Sequence, residues 1–266
     1  VDGMAIVFCV VGADPRQNAA AAALRAAGCT VLPPDRAAEA PNLLLPMTTA
    51  ESQPESMAAL AAARPGARAF AGRVGPALRG CAAARGVQLY DYYEEPALAR
   101  LNAVPTAEGC LGLLLQLRDR TIWESPFLVL GYGRVGRAVA NRLAALGGRV
   151  TVAARAADQR AAARCSGCRA APLTALPRLL PGFEAVVNTI PAPVLPAALL
   201  ARLPAGAVII DLASAPGGVD LAAADALGLC ARFAPGLPGR CAPATAGALV
   251  ADTVLRMLCE QTEGEG

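Results

Sequence analysis

Gly131, Gly133 and Gly136 stand at G-x-G-x-x-G spacing within FLVLGYGRVGRAVANRLAALGGRVTVAAR. Such a loop can hold the pyrophosphate of a dinucleotide. The first glycine allows a tight turn after a strand, the second lets phosphate approach the backbone at a helix N-terminus, and the third lets that helix pack closely. The spacing alone is a weak signal, but here an apolar strand at 127–130, a helix at 134–146 and a second strand at 149–153 follow in order. Tyr132, Arg134 and Val135 complete the expected cofactor-binding loop.

The end of the second strand bears on which dinucleotide is bound. An acid there would accept hydrogen bonds from the ribose of NAD, whereas this chain has Ala153, Ala154 and Arg155, with Arg160 five residues on. A guanidinium pairs with a 2′-phosphate that a carboxylate would repel. NADP is therefore favoured, through Arg155; NAD stays open because Asp158 is near enough in sequence to reach a ribose.

Three later segments lie where strands of such a sheet end: NTIPAPVL, DLASAPGGVD and APGLPGRCAPATAG. Ligands of open α/β sheets bind beyond the carboxyl ends of strands, which puts Asn188, Thr189, Asp211, Ser214, Arg240 and Thr245 in position to face nicotinamide or substrate. The same residue types also serve turns and caps. Near the start, VVGADPRQ resembles a glycine turn without the full motif, and Arg16 at a helix N-terminus would suit a carboxylate.

All 24 basic residues are Arg, since the chain has neither Lys nor His. That excludes a His base, a His metal ligand, and Lys as base or Schiff-base former. The net charge of +3 is small and dispersed, so no nucleic-acid footprint is expected. No apolar run is long enough for a membrane span, and the N-terminal segment lacks the basic start of a signal peptide. Of nine cysteines, Cys9, Cys29, Cys110, Cys230 and Cys259 lie in apolar segments and read as buried thiols of a cytoplasmic protein. Cys165 and Cys168 form a lone C-x-x-C, too little for a zinc site.

Short β-like runs alternate with alanine-rich helical stretches, the pattern of parallel α/β folding. The first half offers strands at 6–11, 30–32, 43–45, 67–71 and 87–90, with helices at 16–27, 54–63 and 76–85. The second adds strands at 185–188, 207–211 and 230–233 and a final helix over 244–259. A bridging helix is expected from Thr106, as its cap, to about Arg120, with Glu108 in its first turn. Two parallel-sheet domains follow: an N-terminal flavodoxin- or Rossmann-like domain over 1–104, and a Rossmann dinucleotide-binding domain over 105–266 whose last helix can cross back to the first.

The strings GADPRQ, NAVPTAEG, GYGRVGR, NTIP, DLASAPGGVD and PGLPGRCAPATAG, in that order, resemble the family of dipicolinate synthase A subunits, dehydrogenases of spore-forming bacteria. The last two strings are far more specific than the glycine loop, and together the matches cover most of the chain. The resemblance implies a two-domain architecture, NADP-linked oxidation of dihydrodipicolinate to dipicolinate during sporulation, and partnership with the flavoprotein B subunit of dipicolinate synthase. One departure is Ala244, where the family pattern has Lys; if that Lys contacts a substrate carboxylate, this chain must rely on Arg or take another substrate.

Such chemistry needs a hydride acceptor, loss of a proton, and cationic partners for two carboxylates. Arg16 and Arg240 are the expected clamps, one from each domain, with Ser214 and Thr245 as neutral donors. The proton acceptor must be a carboxylate, Tyr, Cys or water, and Glu108 is the chosen candidate. Two other readings stand beside this one. The first is another two-domain dehydrogenase, a relative of 2-hydroxy acid or alanine dehydrogenases, though keto reduction usually enlists a His or Lys. The second is an NADP-sensing protein without turnover. A homo-oligomer is left open.

Overall fold

The computed structural model describes residues 5–264, and all strand pairings in it are parallel. It divides into two units, one running to Asn102 and resuming at Pro238, the other spanning Ala103–Leu237. The segment from Pro238 onward, read from sequence as the end of the Rossmann domain, is thus grouped with the first unit.

The first unit contains β1 (Val7–Val10), α1 (Pro15–Ala26), β2 (Thr30–Leu32), β3 (Asn42–Met47), α2 (Gln53–Ala62), β4 (Arg68–Gly72), α3 (Pro76–Ala84), β5 (Gln88–Asp91) and α4 (Pro96–Leu101). The sheet order is β2-β1-β3-β4-β5, the flavodoxin-like arrangement. Its central strands are apolar apart from Asn42 and Arg68 at the starts of β3 and β4, because both faces are covered. Phe8, Val10, Leu44 and Phe70 face one way, and Cys9, Leu43, Leu45 and Ala69 face the other, against Leu60 of α2 and Leu78 of α3.

The second unit runs through α5 (Ala103–Leu117), β6 (Pro126–Leu130), α6 (Arg134–Ala145), β7 (Arg149–Ala153), α7 (Ala157–Cys165), β8 (Arg169–Ala171), α8 (Leu176–Leu179), β9 (Ala185–Asn188), α9 (Ala197–Leu200), β10 (Val208–Asp211), α10 (Leu221–Ala226) and β11 (Cys230–Phe233). Its order, β11-β10-β9-β6-β7-β8, is the doubly wound Rossmann arrangement. Phe127, Val129 and Val152 pack under α5 and α6, while Leu128, Leu130 and Val186 pack under α8, α9 and α10. Next come α11 (Leu237–Cys241) and α12 (Pro243–Gly264), whose Val250, Ala251 and Val254 pack in one core with Ala20, Ala21 and Leu24 of α1.

Two expectations need correction. The bridging helix begins at Ala103, not Thr106, so Thr106 lies inside α5 and does not cap it. Pro105 is tolerated there because first-turn amides have no intrahelical acceptor to lose. Strand β8 is absent from the sequence reading: Arg169-Ala170-Ala171 is too short and alanine-rich to signal a strand, and pairing with β7 creates it. Among the described residues, no helix is long and apolar enough to cross a membrane.

Candidate functional site

β6 delivers the chain to Gly131, whose φ is +87°. A Cβ there would also lie 2.7 Å from Thr189 Oγ1. A Cβ on Gly136 would overlap the Gly131 carbonyl oxygen, so glycine alone lets α6 sit this close to the turn. Gly133 has no such internal reason. Its φ is −76°, and an added Cβ would meet nothing within 4 Å. It is the N-cap of α6 and offers no side-chain cap to the helix amides. Uncapped amides facing space that a side chain would fill form a cradle for pyrophosphate, and the residues present fit a nicotinamide dinucleotide.

The rest of the loop divides by role. Tyr132 is buried, its hydroxyl donating to Asn141 Oδ1 at 3.2 Å, with the Arg137 guanidinium 5.3 Å over its ring. Its side chain is therefore core, and only its backbone is placed for a ligand. Val135 is half-buried against the same core, and Arg134 is exposed. Beyond β7, Ala154 is buried and Arg155 exposed. Arg160 Nη1 donates to the Ala154 carbonyl at 3.0 Å and to the Arg155 carbonyl, bracing the loop that carries Arg155. Asp158 sits exposed in the first turn of α7.

Asn188 and Asp211 are both buried and bonded to each other, Nδ2 to Oδ1 at 2.8 Å. Asp211 Oδ1 also accepts from the Ala213 amide at 3.1 Å, while Oδ2 accepts from the amides of Gly218 at 2.7 Å and Val219 at 3.1 Å. Asn188 exchanges two further bonds with Ile190. With these partners the two side chains hold loops and are not exposed to a ligand, a correction to their expected place as cofactor contacts. Thr189 Oγ1 donates to the Leu130 carbonyl at 2.8 Å, tying this loop to the glycine turn. Gly218 explains part of the PGG string, because a Cβ there would lie 2.5 Å from Asn188 Nδ2 and 2.6 Å from the Ala192 carbonyl. Ser214 stands exposed at the tip of the loop that Asp211 folds.

In the first unit, GADPRQ is a turn and a cap. Gly12 has a φ of +96°, Asp14 accepts from the amides of Arg16 at 2.9 Å and Gln17 at 3.1 Å, and Pro15 opens α1. The Arg16 side chain is only 17% exposed, its Nη2 lies 4.0 Å from Asp14 Oδ2, and its Nε is buried without an acceptor. The C-terminal segment lies against it. A Cβ on Gly239 would sit 3.9 Å from Arg16 Cζ, and one on Gly247 would lie 2.6 Å from Ala19 Cβ. Arg16 and Arg240 therefore belong to one unit, contrary to the expectation that each domain supplies one. The cause is the α1–α12 packing, which carries Gly239 to the start of α1. Arg240 is exposed on α11 beside Gly239, and Thr245 is exposed in the first turn of α12.

Sequence reasoning passed over three polar residues at this edge. Gln17 is fully buried, with Nε2 donating to the Val11 carbonyl at 2.7 Å. Thr48, just past β3, has a buried hydroxyl without a partner. Tyr92 is buried with its hydroxyl on the Leu45 carbonyl at 3.3 Å; burial pushes its pKa up, against the pull of the nearby Arg16 charge. Of the three, only Gln17 lies in a motif that the sequence singles out.

Glu108 is exposed on α5, 3.5 Å from Arg142 Nη2. Arg142 is in the last turn of α6, about 12 Å along the helix from its first residue. The structure does not bring Glu108 to the glycine turn. Among the cysteines, Cys9, Cys29 and Cys110 are buried, but Cys230 is only half-buried and Cys259 is exposed, which corrects their reading as core thiols. Burial pushes the Cys9 thiol up to about 11, with Asp35 adding to it. Cys165 is exposed, while Cys168 is buried and its pKa is raised by that burial.

Known proteins share this architecture. Residues 115–227 match the family model "D-isomer specific 2-hydroxyacid dehydrogenase, NAD binding domain". The A subunit of dipicolinate synthase from Bacillus subtilis (strain 168) is 36% identical over 197 residues, which span 74% of this chain and 66% of that protein. The crystal structure of the dipicolinate synthase A subunit from Bacillus halodurans superposes with a TM-score of 0.85 at 30% identity, covering 96% of this chain and 99% of that one. The crystal structure of the Bacillus subtilis counterpart superposes with a TM-score of 0.84 at 30% identity, covering 98% of each chain. A near-complete fold match at this identity, with the glycine cradle in place, leads to one conclusion: the chain belongs to the family of dipicolinate synthase A subunits and is an NAD(P)-dependent dehydrogenase.

Proposed function

We propose that this chain oxidises dihydrodipicolinate to dipicolinate with NADP as the oxidant. The observation that carries the reading is Arg16, a largely buried guanidinium whose Nε has no acceptor, at the carboxyl edge of the first unit's sheet. A buried cationic donor left unpaired is costly, and a carboxylate ligand would remove that cost. Arg240, next to the Gly239 that lies against Arg16, is the second cation for a planar dianion. Without Lys or His, only Arg can supply such charge. The names of the relatives support the same substrate.

A dinucleotide held by the Gly131–Gly136 cradle would supply the hydride acceptor, and the dihydropyridine would give up a ring hydride to it and one proton to solvent as it becomes aromatic. Arg155, exposed just past β7, is the partner we assign to the 2′-phosphate. Ser214 and Thr245, both exposed, are neutral donors to the substrate. Water serves as the proton acceptor in place of Glu108, because aromatisation is itself strongly downhill. The relatives' designation as A subunits supports a second, B subunit, which we take to be a flavoprotein.

The test is direct. The purified chain is mixed with NADP and dihydrodipicolinate, with and without the flavoprotein partner, and NADPH fluorescence is followed. Substrate-dependent NADPH, reduced by Arg16→Ala, is the expected result. No NADPH under either condition would reject the proposal.

A further inference from the structure

At the amino edge of the second unit's sheet, away from the glycine turn, lies a cavity of about 610 Å³. Pro126 and Arg149, which begin β6 and β7, line it with Arg169, the first residue of β8. Its other wall is Arg178 of α8 with Gly182 and Phe183 beyond it. The register brings the arginines together. Thr151 pairs with Arg169, and Arg149 precedes Thr151 by two residues, so all three project from one face of the sheet. Two residues of rise and one strand spacing put the Arg149 and Arg169 Cα atoms about 8 Å apart. That face is the one covered by Leu176, Leu180 and Phe183, so Arg178 reaches the cavity from the covering segment.

The charge there is uncompensated. No Asp or Glu lines the cavity, and none of the three arginines makes an ion pair among the described residues. Arg149 is oriented by Nε donating to the Glu124 carbonyl at 2.7 Å, which uses none of its terminal nitrogens. Further along the same edge, toward β9, Arg120 is matched by Glu184 at 3.6 Å. The volume lies within the ~300–1,000 Å³ of small-molecule sites. The three arginines are exposed, so water screens their mutual repulsion, but an anion seated in the cavity would still meet their combined positive field.

We propose that this cavity binds a small phosphate-bearing polyanion, at a site separate from the dinucleotide cradle on the opposite edge of the same sheet. Guanidinium groups lining one concavity can hold two linked phosphates through paired N–H donors.

The experiment titrates pyrophosphate by calorimetry into the full chain already saturated with dinucleotide, at fixed ionic strength, with inorganic phosphate and an oligo-glutamate peptide as parallel probes. Saturation keeps pyrophosphate out of the glycine cradle. We expect one pyrophosphate site, weaker binding of phosphate, and a loss of about tenfold in Arg169→Gln, the effect of one charge-assisted hydrogen bond. The Arg169→Gln/Arg178→Gln pair should lose it entirely while keeping dinucleotide affinity. Unchanged pyrophosphate affinity in both variants, no binding to the saturated protein, or binding of the acidic peptide in preference to pyrophosphate would each overturn the proposal.

Discussion

Asn188 Nδ2 donates to Asp211 Oδ1 at 2.8 Å across the last paired positions of β9 and β10. The pair joins two loops beyond adjacent strands. Its reach extends through the Gly218 carbonyl, which accepts from the amides of Val194 at 2.9 Å and Leu195 at 3.0 Å, so NTIPAPVL and DLASAPGGVD are zipped into one structure. Asp211 serves as an acceptor on both oxygens, and its four partners here are all donors.

Asp211→Asn should therefore be nearly as damaging as Asp211→Ala. An amide nitrogen would face N–H donors on at least one side, leaving buried groups unsatisfied. Both variants should lose about 2–4 kcal/mol by urea denaturation. An unchanged midpoint in Asp211→Asn would show that the network contributes little.

The glycines of the loop should separate by phenotype. Gly133→Val should lower Tm only modestly, because the added Cβ enters open space and only the N-cap preference for glycine is lost, yet weaken dinucleotide binding by at least about tenfold. Gly136→Ala should lower Tm, because its Cβ overlaps the Gly131 carbonyl. Calorimetry and thermal unfolding on the two variants give the comparison. Full affinity in Gly133→Val would mean the cradle is only a turn.

Arg155→Asp should cost about 1.5–3 kcal/mol of NADP binding, the range for charged hydrogen bonds, and affect NAD less. Parallel titrations with the two dinucleotides check it. Equal losses for both would remove Arg155 from the 2′-phosphate.

Dipicolinate should bind through the first unit's arginines. Arg16, largely buried and held beside Asp14, is pre-organised, whereas Arg240 is exposed and must be ordered on binding. Arg16→Ala should thus weaken dipicolinate more than Arg240→Ala, with dinucleotide affinity spared in both. Calorimetric titration of dipicolinate into each variant measures the order, and no loss in Arg16→Ala would move the substrate elsewhere.

Stability should fall at alkaline pH. The buried Cys9 thiol is held neutral up to about 11, while in the unfolded chain it ionises from its ordinary value of 9.0. Above that value the unfolded state sheds a proton that the folded state keeps, so stability decreases as pH rises toward the folded value and then levels off. Cys9 alone accounts for ~1–3 kcal/mol of this decline. Cys110, raised by burial, begins to act at the same pH as Cys9 and continues above it, and Tyr92, also raised by burial, acts in the same direction from its ordinary value of 10.0 upward. Cys9→Ala should make the fall of urea stability between pH ~9 and ~11 shallower under reducing conditions, leaving the share due to Cys110; an unaltered slope would assign the decline to other groups.

What the sequence determined about this protein is local along the chain. Strand, glycine turn and helix follow one another within residues 127–146, and the backbone geometry each step needs is written in the residue itself: Gly131 for a positive φ, Gly136 for close approach. GADPRQ is legible for the same reason, since Asp14 caps a helix that begins one residue later. The two parallel sheets follow from alternation of such local units. The tertiary structure decided everything that depends on partners far away in the chain. Whether Asn188 and Asp211 face a ligand or each other turns on strand pairing over 23 residues, and the pairing buries them. Arg16 meets Gly239 only because α12 packs on α1, and an alanine-rich helix face states that it will be buried without stating against what. Hydrophobic burial is non-directional, so it selects elements but does not name their partners. Shape complementarity names them, and shape exists only once the chain has folded.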